Sequence, residues 1–483
     1  MSRQQLLIGG VWTDPVTKNF EEVKSPFDQS VVGEVAVASP ADVELAFSKA
    51  AIGAQIWRRT PAHQRFAILV KAAEIADSRI EMMAQLISSE NGKAIGEARG
   101  EAARSGEIIR LSAYEGAQLY GSTLPLDANN GTGQEKLGFT LRQPVGIVVA
   151  ISPFNYPALL VLHKVAPALA SGNAVILKPA RSTPLTALAL AQCFLDAGLP
   201  EGVLSVITGS GSELGNALVS DKRARKISFT GSTTTGEYIT SVAGIKKLSL
   251  ELGASCPVII LKDADLELAA TAIALGGFVN AGQVCISVQR VIVDASILAD
   301  FLSLLTPKIQ AITTGNPLSP DTKMGTLINQ TEARRVKTCI DQAVNEGAKL
   351  LMGSDLEGTV MQPAVLTDVN PYSAIAQDEL FGPAIAISEA NSTAEAIELA
   401  NSTNYGLGSG VFTKDISAAI QSAREIDSGI IDINWTPLWR ADLMPYGGLK
   451  SSGIGKEGVR SAVTEMTEEK TIVLHGTPWG DKK

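Results

Sequence analysis

Apolar residues follow two rhythms along the chain, and the changes between them mark its organisation. Residues 5–36 carry short apolar runs, Leu6-Leu-Ile-Gly-Gly-Val-Trp12 and Val31-Val-Gly-Glu-Val-Ala36, which predict short strands joined by turns. From Ser39 to about Tyr120 the spacing is helical. Ser39 or Asp42 is placed to cap the first helix, and Thr60-Pro61 is expected to start another with proline in its first turn. Arg65, Arg99, Arg104 and Arg110 lie among these helices, where a solvated face or ion pairs with Glu97, Glu101 or Glu107 are expected. Residues 122–142 break the helical spacing. Thr123-Leu-Pro-Leu, a polar turn from Asp127 to Gly133 and Gly138-Phe-Thr-Leu-Arg142 predict a protruding hairpin. Such a hairpin needs another chain or a remote segment over its apolar side. The strand-like tail Glu468 to His475 is a candidate to pair with it.

Residues 145–262 alternate apolar strands with helical runs. The predicted strands are Val145–Ile151, Ala174–Leu177, Leu204–Ile207, Lys226–Phe229 and Lys247–Leu250, with a helix from Pro184 to Ala197 among the intervening runs. Continuous apolar strands separated by helices imply a parallel sheet covered on both faces. Residues 263–440 repeat the rhythm, with a helix opening at Asp263-Ala-Asp-Leu-Glu, a strand Arg290–Val293 and a helix Leu298–Ile312. The expected fold is α/β, with two doubly wound parallel-sheet domains and a small β element. The expected boundaries are residues 1–121 with 143–254 for the first domain, 255–458 for the second, and 122–142 with 459–483 for the β element.

Length and composition agree with this division. A chain of 483 residues is too long for one core. Hydrophobic residues at 45% and charged residues at 19% are ordinary for a globular enzyme. The net charge of −9 argues against nucleic acid or an acidic membrane as partner. No apolar run approaches a bilayer span, and the N-terminus has no signal-like apolar core. Cys193, Cys256, Cys285 and Cys339 are scattered, so neither a disulfide framework nor a metal cluster is expected, and a reducing cytoplasm fits. With only His63, His163 and His475 available, an activating base is expected to be a carboxylate or water.

Five segments carry chemistry, each with a bland alternative. In Asn280-Ala-Gly-Gln-Val-Cys285-Ile-Ser, Gly282 permits a tight turn that can present the Cys285 sulfur to a cleft; the alternative is a buried packing thiol. Ser152-Pro-Phe-Asn155-Tyr-Pro157 follows a strand, and its two prolines fix Asn155 as a donor suited to a developing oxyanion, or as a turn residue bonding itself. Glu251 ends another strand, where burial makes a carboxylate a general base and exposure makes it an ordinary surface group. Phe229-Thr-Gly-Ser-Thr-Thr-Thr-Gly236 is a strand–turn–helix junction whose amides suit a phosphate, though it is neither GxGxxG nor a Walker loop. Lys178-Pro-Ala-Arg181 places cations where a ribose or phosphate would lie, or simply at the surface.

Taken together, these segments resemble the aldehyde dehydrogenase superfamily, in its NAD(P)-dependent oxidising branch. PFNYP, LKPAR, FTGSTTTG, LELGA, GQVCIS, DELFGP (Asp378–Pro383) and PYGGLKSSGIGKEG (Pro445–Gly458) appear in family order. The resemblance implies that Cys285 attacks an aldehyde as thiolate, that Asn155 and the Cys285 N–H stabilise the resulting oxygen, and that Glu251 activates water to release the acid. It implies NAD or NADP as cofactor, with Glu379 on the nicotinamide ribose, Lys178 on the adenosine ribose and Gly231-Ser232 by the pyrophosphate. It extends the cofactor set to Ile151, Ser152, Pro153, Phe154, Ala180, Arg181, Gly211, Phe229, Thr230, Leu252, Gly253 and Phe381. Tyr156, Val284 and Ile286 are implied to shape a substrate pocket, and the hairpin with the C-terminal strand to make a homodimer or homotetramer. Coenzyme-A-acylating relatives lack a glutamate matching Glu251, which favours hydrolysis.

Two departures matter. Arg181 stands where relatives often carry glutamate, removing a repulsion toward a 2′-phosphate, so NADP is expected to be at least tolerated. Arg104 and Arg440 match positions that face an anionic substrate in the phosphonoacetaldehyde-like enzymes, which with the lactaldehyde-like dehydrogenases form the subgroup most resembled. Val284 differs from them, since those enzymes carry a further arginine there. The expected substrate is a small polar aldehyde, with these arginines as candidate anion holders; the alternative is that both pair with acids such as Asp442. Thioester-forming or esterase-like use of the same thiol, and a non-catalytic relative, are the competing readings.

Overall fold

The computed structural model describes residues 3–476; Met1, Ser2 and the last seven residues of the expected 459–483 segment lie outside them. An eight-stranded sheet carries the first half of the chain. Its parallel centre runs Lys247–Glu251, Ala224–Thr230, Ile147–Ile151, Ala174–Lys178, Leu204–Val206. The chain therefore builds outward on one side of Ile147–Ile151 and then jumps to the other side of it. Such a reversal opens a crevice at the carboxyl ends of the two strands that flank it, here at Ile151 and Thr230.

The edges of this sheet come from far away in sequence. The hairpin Leu6–Ile8 and Val11–Thr13 adds antiparallel to Leu204–Val206. On the opposite edge Gly453–Ile454 pairs antiparallel with Lys247–Glu251, bringing the C-terminal region back to the first sheet. A seven-stranded sheet, parallel except for Lys349–Met352, holds Ala364–Thr367, Ala384–Ala390, Arg290–Asp294, Pro257–Ile260, Gly408–Phe412 and Ile430–Ile433.

Helices cover both faces of the first sheet. Leu159–Ala170 is buried along its whole length because it lies between the sheet and the helix Ile95–Ala117, which explains its apolar character all round. Ser39 caps the helix Pro40–Arg59 with Asp42: the Ser39 N–H and Oγ both donate to the Asp42 carboxylate, at 2.8 and 2.7 Å. The next helix begins at Ala62, with Pro61 as its extended cap (ψ 147°) rather than in its first turn, as the sequence had suggested.

The arginine pairings also differ from expectation. Arg65 donates to the carbonyls of Thr60 and Ala170, Arg99 pairs with Glu81, Arg110 with Asp77, and Arg104 with Asp442. Glu97 and Glu101 are unavailable to them because both, four residues apart on one helix face, turn inward. No helix among the described residues is long and apolar enough to cross a membrane.

Thr123–Leu124 pairs with Lys136–Pro144, and Thr467–His475 runs antiparallel along the whole of that strand. Leu137 and its cross-strand partner Leu474 remain 52% exposed, and Leu141 on the same face 48%.

Candidate active site

The crevice at Ile151 and Thr230 is floored by the expected chemistry. A cavity of about 380 Å³ is lined by Pro153, Phe154, Asn155, Ala180, Thr230, Gly231, Ser232, Leu252, Glu379, Phe381 and Cys285, together with Glu332 and Arg335. A second, of about 80 Å³, is lined by Arg104, Tyr156, Val284, Ile286, Arg440, His163 and Tyr446, and again by Cys285. Cys285 thus stands where the two meet.

The turn that presents Cys285 is tightly fixed. Asn280, Ala281 and Gly282 are all left-handed (φ 51°, 54° and 69°), an arrangement that costs the two non-glycine residues about 1 kcal/mol or more each and persists only where its surroundings enforce it. The enforcement is visible. The Asn280 N–H donates to Glu97 (3.0 Å) and its side-chain amide to the Asn155 carbonyl (3.1 Å). Gln283 donates to the carbonyls of Asn280 (2.9 Å) and Thr326 (3.1 Å) and accepts from the Ile328 N–H (2.8 Å). A Cβ on Gly282 would run into the Gly382 carbonyl, so only glycine fits.

Asn155 is 2% exposed and donates from Nδ2 to the Gln283 carbonyl at 2.9 Å, tying the Ser152–Pro157 turn to the cysteine loop. Lys93, buried and paired with Glu101, donates to the Asn155 carbonyl at 2.8 Å and sits 3.7 Å over the Tyr156 ring. Glu101 in turn accepts from the N–H groups of Ala158 and Leu159 at 2.9 and 3.2 Å.

Burial pushes the Cys285 thiol up to about 12, against the pull of a 3.0 Å hydrogen bond with Tyr446 Oη; the nearby carboxylates Glu251 and Glu379 add to the rise. A raised pKa means that thiolate is scarce at neutral pH and grows about tenfold per pH unit, with no plateau until near that value. Alkylation of Cys285 by iodoacetamide, followed by peptide mass mapping, is expected to climb in this way from pH 7 to 10. A plateau near 8.5, as for a free thiol, would contradict it. Tyr446→Phe removes the bond that lowers the pKa, so it should slow alkylation at every pH.

Glu251 is 3% exposed at the end of its strand, and its Oε2 has no partner. Burial and then the neighbouring Glu457 charge hold it well above the usual carboxylate range. Burial acts in the same direction on Glu457, but the Lys164 ammonium paired with it, and Arg440, keep it low. Lys164 is completed by Thr230 Oγ1 at 2.7 Å. The two carboxylates are therefore pushed in opposite directions, Glu251 up and Glu457 down.

The larger cavity offers groups suited to part of a dinucleotide. Its wall is closely packed at Gly231 and Gly253, where only glycine fits: a Cβ on Gly253 would sit 2.9 Å from Glu379 Oε2, and one on Gly231 would meet the Phe229 ring. Glu379 accepts from the Ala254 N–H at 3.1 Å and is pushed by burial to about 7. Ser232 caps the helix Thr233–Val242, accepting from the Thr235 N–H. Ile151, Ser152 and Phe229 sit on or beside the strand ends behind this wall. Lys178 is buried, its pKa lowered to about 8 by desolvation, and donates to the Pro179 carbonyl. Gly211 opens the helix Gly211–Ser220 outside the cavity lining. Arg181 is 64% exposed and occupied: two of its nitrogens donate to Glu21 Oε2, at 2.8 and 2.6 Å.

In the smaller cavity the two arginines part company. Arg104 is matched by Asp442 at 2.5 Å. Burial opposes ionisation of Asp442, but the hydrogen bond from His163 and the charge and hydrogen bond of Arg104 keep its carboxyl at about 2. His163 is neutral, its pKa lowered to about 4 chiefly by burial. Arg440 has no acid partner; it lies 3.9 Å over the Tyr446 ring, with Nε and Nη2 buried and unbonded.

Sequence reasoning assigned no role to Tyr446, Glu457, Lys164, Lys93 or Glu21. Tyr446 and Glu457 fall inside the quoted Pro445–Gly458 motif, which was a usable signal. The others carry none, since a buried lysine reads like any other in sequence. Among the described residues no cluster of three or more histidine, cysteine or carboxylate side chains is arranged to hold a metal.

Comparison with known proteins agrees with this architecture. Residues 12–472 match the aldehyde dehydrogenase family. The chain is 42% identical over 470 residues to the 3-sulfolactaldehyde dehydrogenase of Priestia aryabhattai, covering 97% of this chain and 98% of that protein. It is 35% identical over 474 residues to the lactaldehyde dehydrogenase of Methanococcus vannielii, covering 97% and 100%. The crystal structure of the NADP-dependent glyceraldehyde-3-phosphate dehydrogenase from Bacillus halodurans C-125, complexed with NADP, superposes with a TM-score of 0.97 at 35% identity, covering 99% of this chain and all of that one. With the family matched from near one end of the chain to near the other, and with full-length relatives well above the level at which fold and family are shared, the protein belongs to the aldehyde dehydrogenase family.

Proposed function

We propose that the protein oxidises a short anionic aldehyde to its carboxylate with NAD or NADP, through a covalent intermediate on Cys285. The observation that carries this reading is the position of Cys285 at the junction of the cavity at the strand ends and a small cavity containing an arginine with unbonded nitrogens.

The Cys285 thiol gives its proton to solvent water and its sulfur bonds to the aldehyde carbon, while the carbonyl electron pair moves to oxygen. Asn155 spends one amide N–H on Gln283 and has a second to give that oxygen, as does the Cys285 backbone. When bound, the nicotinamide ring supplies the hydride acceptor that takes the thiohemiacetal to a thioester. Glu379 and Lys178 would hold the two riboses, and the Gly231-Ser232 turn the pyrophosphate. Glu251 then takes a proton from water, whose oxygen bonds to the acyl carbon. The C–S bond breaks and the thiol is restored. The sum is aldehyde, oxidised cofactor and water giving acid, reduced cofactor and a proton.

Arg440 favours an anionic substrate. Arg104 already has Asp442, whereas the buried Nε and Nη2 of Arg440 lack a partner among the described residues, and an unpaired buried donor costs about 1–3 kcal/mol unless a ligand meets it. The small cavity limits the chain length, and the 3-sulfolactaldehyde-oxidising relative supports a sulfonate or similar anion. An absorbance assay of reduced cofactor with 3-sulfolactaldehyde, lactaldehyde and succinate semialdehyde tests the class. Arg440→Gln is expected to lower kcat/KM for the anionic aldehydes by about 10–100-fold and for neutral lactaldehyde by less than about threefold. Equal losses would remove the anion site.

The exposed Leu137, Leu141 and Leu474 also support a homodimer or tetramer through the three-stranded sheet. Light scattering at assay concentration should find no monomer.

A further inference from the structure

The N-terminal strands reach the loop that follows Ala174–Lys178, and they bring there a carboxylate that no motif marks. The strand Phe20–Lys24 pairs with Val31–Ala36, with Glu21 opposite Val35. That strand is pinned to the crevice by Thr208: its Oγ1 donates to the Ala36 carbonyl at 2.5 Å, and its carbonyl accepts from the Ala38 N–H at 3.0 Å. Glu21 therefore lies beside the carboxyl end of Ala174–Lys178. Its Oε2 takes both bonds from Arg181, while its Oε1 is buried with no partner among the described residues. Lys178 feels the Glu21 charge directly, so Lys178, Arg181 and Glu21 form one cluster.

From this geometry we infer that Glu21 is a specificity-determining residue for the cofactor: its free Oε1 accepts the adenosine ribose 2′-hydroxyl, and its Oε2 holds Arg181 away from a 2′-phosphate. This rests on the placement of the adenosine ribose at Lys178 proposed above. Arg181 by itself reads as an anchor for NADP. With Glu21 bonded to it, Arg181 is already engaged, and a 2′-phosphate would face the Glu21 carboxylate with Lys178 as the cluster's one remaining cation. A 2′-hydroxyl meets an unfilled acceptor instead, and a buried acceptor without a donor is a loss that this hydroxyl makes good. The preference for NAD is thereby supplied by a side chain some 160 residues upstream of the position that relatives use.

The test is binding to the purified full chain, by isothermal titration, of two fragments that differ only at the ribose: 5′-AMP and adenosine 2′,5′-bisphosphate. The unaltered protein is expected to bind 5′-AMP the more tightly. Glu21→Gln should tighten the bisphosphate by about tenfold while leaving 5′-AMP within about twofold, because the amide oxygen still accepts the hydroxyl. Glu21→Ala should also weaken 5′-AMP. Arg181→Gln, with Glu21 intact, should weaken the bisphosphate further and spare 5′-AMP, and it serves as the readout if the Glu21 variants melt early. Affinities for the two fragments that move together, or that stay put in Glu21→Gln and Arg181→Gln alike, would overturn the assignment. Lys178→Ala separates the two levels of the reading: if it leaves 5′-AMP binding unchanged, the ribose is not held here and both fall; if it weakens 5′-AMP while the Glu21 variants are silent, only the role of Glu21 falls.

Discussion

Cys285→Ala is expected to lower the rate of cofactor reduction by at least about 10⁴-fold, with the fold and nucleotide binding intact. The size of the loss follows from the site. Among the described residues Cys285 alone combines a thiol with exposure to both cavities, whereas Cys193 and Cys256 are buried and Cys339 lines neither. Nothing next to Cys285 can replace it: Tyr446 is a phenol whose own pKa is raised well above normal by burial and the neighbouring thiol. The geometry of the loop should survive, because the left-handed turn is held by Asn280 and Gln283 rather than by the sulfur. An absorbance assay of reduced cofactor, alongside a melting curve and a nucleotide titration, checks all three parts. Residual turnover within tenfold of the unaltered protein would remove Cys285 as nucleophile.

Glu251→Gln is expected to separate the reaction into halves. Acyl transfer to sulfur needs no base at position 251, so one equivalent of reduced cofactor per active chain should appear in a burst. Release of the acid should then slow by about 10²–10⁴-fold, the usual contribution of a positioned general base. Intact-mass measurement should find the acyl group on the protein. Loss of the burst itself would assign Glu251 to an earlier step. In the unaltered protein, rapid release of the acyl group to added coenzyme A in preference to water would favour the thioester-transfer reading.

The same residue sets a pH dependence. Burial and the Glu457 charge raise the Glu251 pKa above the usual carboxylate range, and only its ionised form accepts a proton from water. Turnover limited by hydrolysis should therefore rise with pH, in a range above that of an ordinary carboxylate. Glu457→Gln takes away the repelling charge, so it should move that rise to lower pH.

Much of this site was legible in the sequence because its parts sit at strand ends. Ile151, Thr230 and Glu251 each end a run of apolar residues, and in a parallel sheet such ends converge on one edge. The local signals at Ser152–Asn155, Gly231-Ser232 and Cys285 therefore point to one place once the strands are ordered. The pairing of the tail with the hairpin was legible for a similar reason, since two exposed strand-like segments otherwise lack partners.

The arginines show where sequence stops. Helical spacing makes Glu97, Glu101 and Glu107 the natural partners of Arg104, yet its partner is Asp442, 338 residues away. Glu97 and Glu101 are instead consumed in fixing the loop before Cys285 and the turn after Asn155. Arg104 and Arg440 look alike as residue types; folding neutralises the first and leaves the second unpaired. Arg181 likewise changes meaning when Glu21 arrives beside it.

The sequence alone determined the α/β class, the family resemblance, and the thiol, amide and carboxylate that the chemistry needs, because those depend on residue type and on short-range periodicity. The tertiary structure decided which charges are free, which are spent, and which carboxylate has its pKa raised. Those properties depend on burial and on neighbours hundreds of residues apart, and no local pattern encodes a distance of that kind.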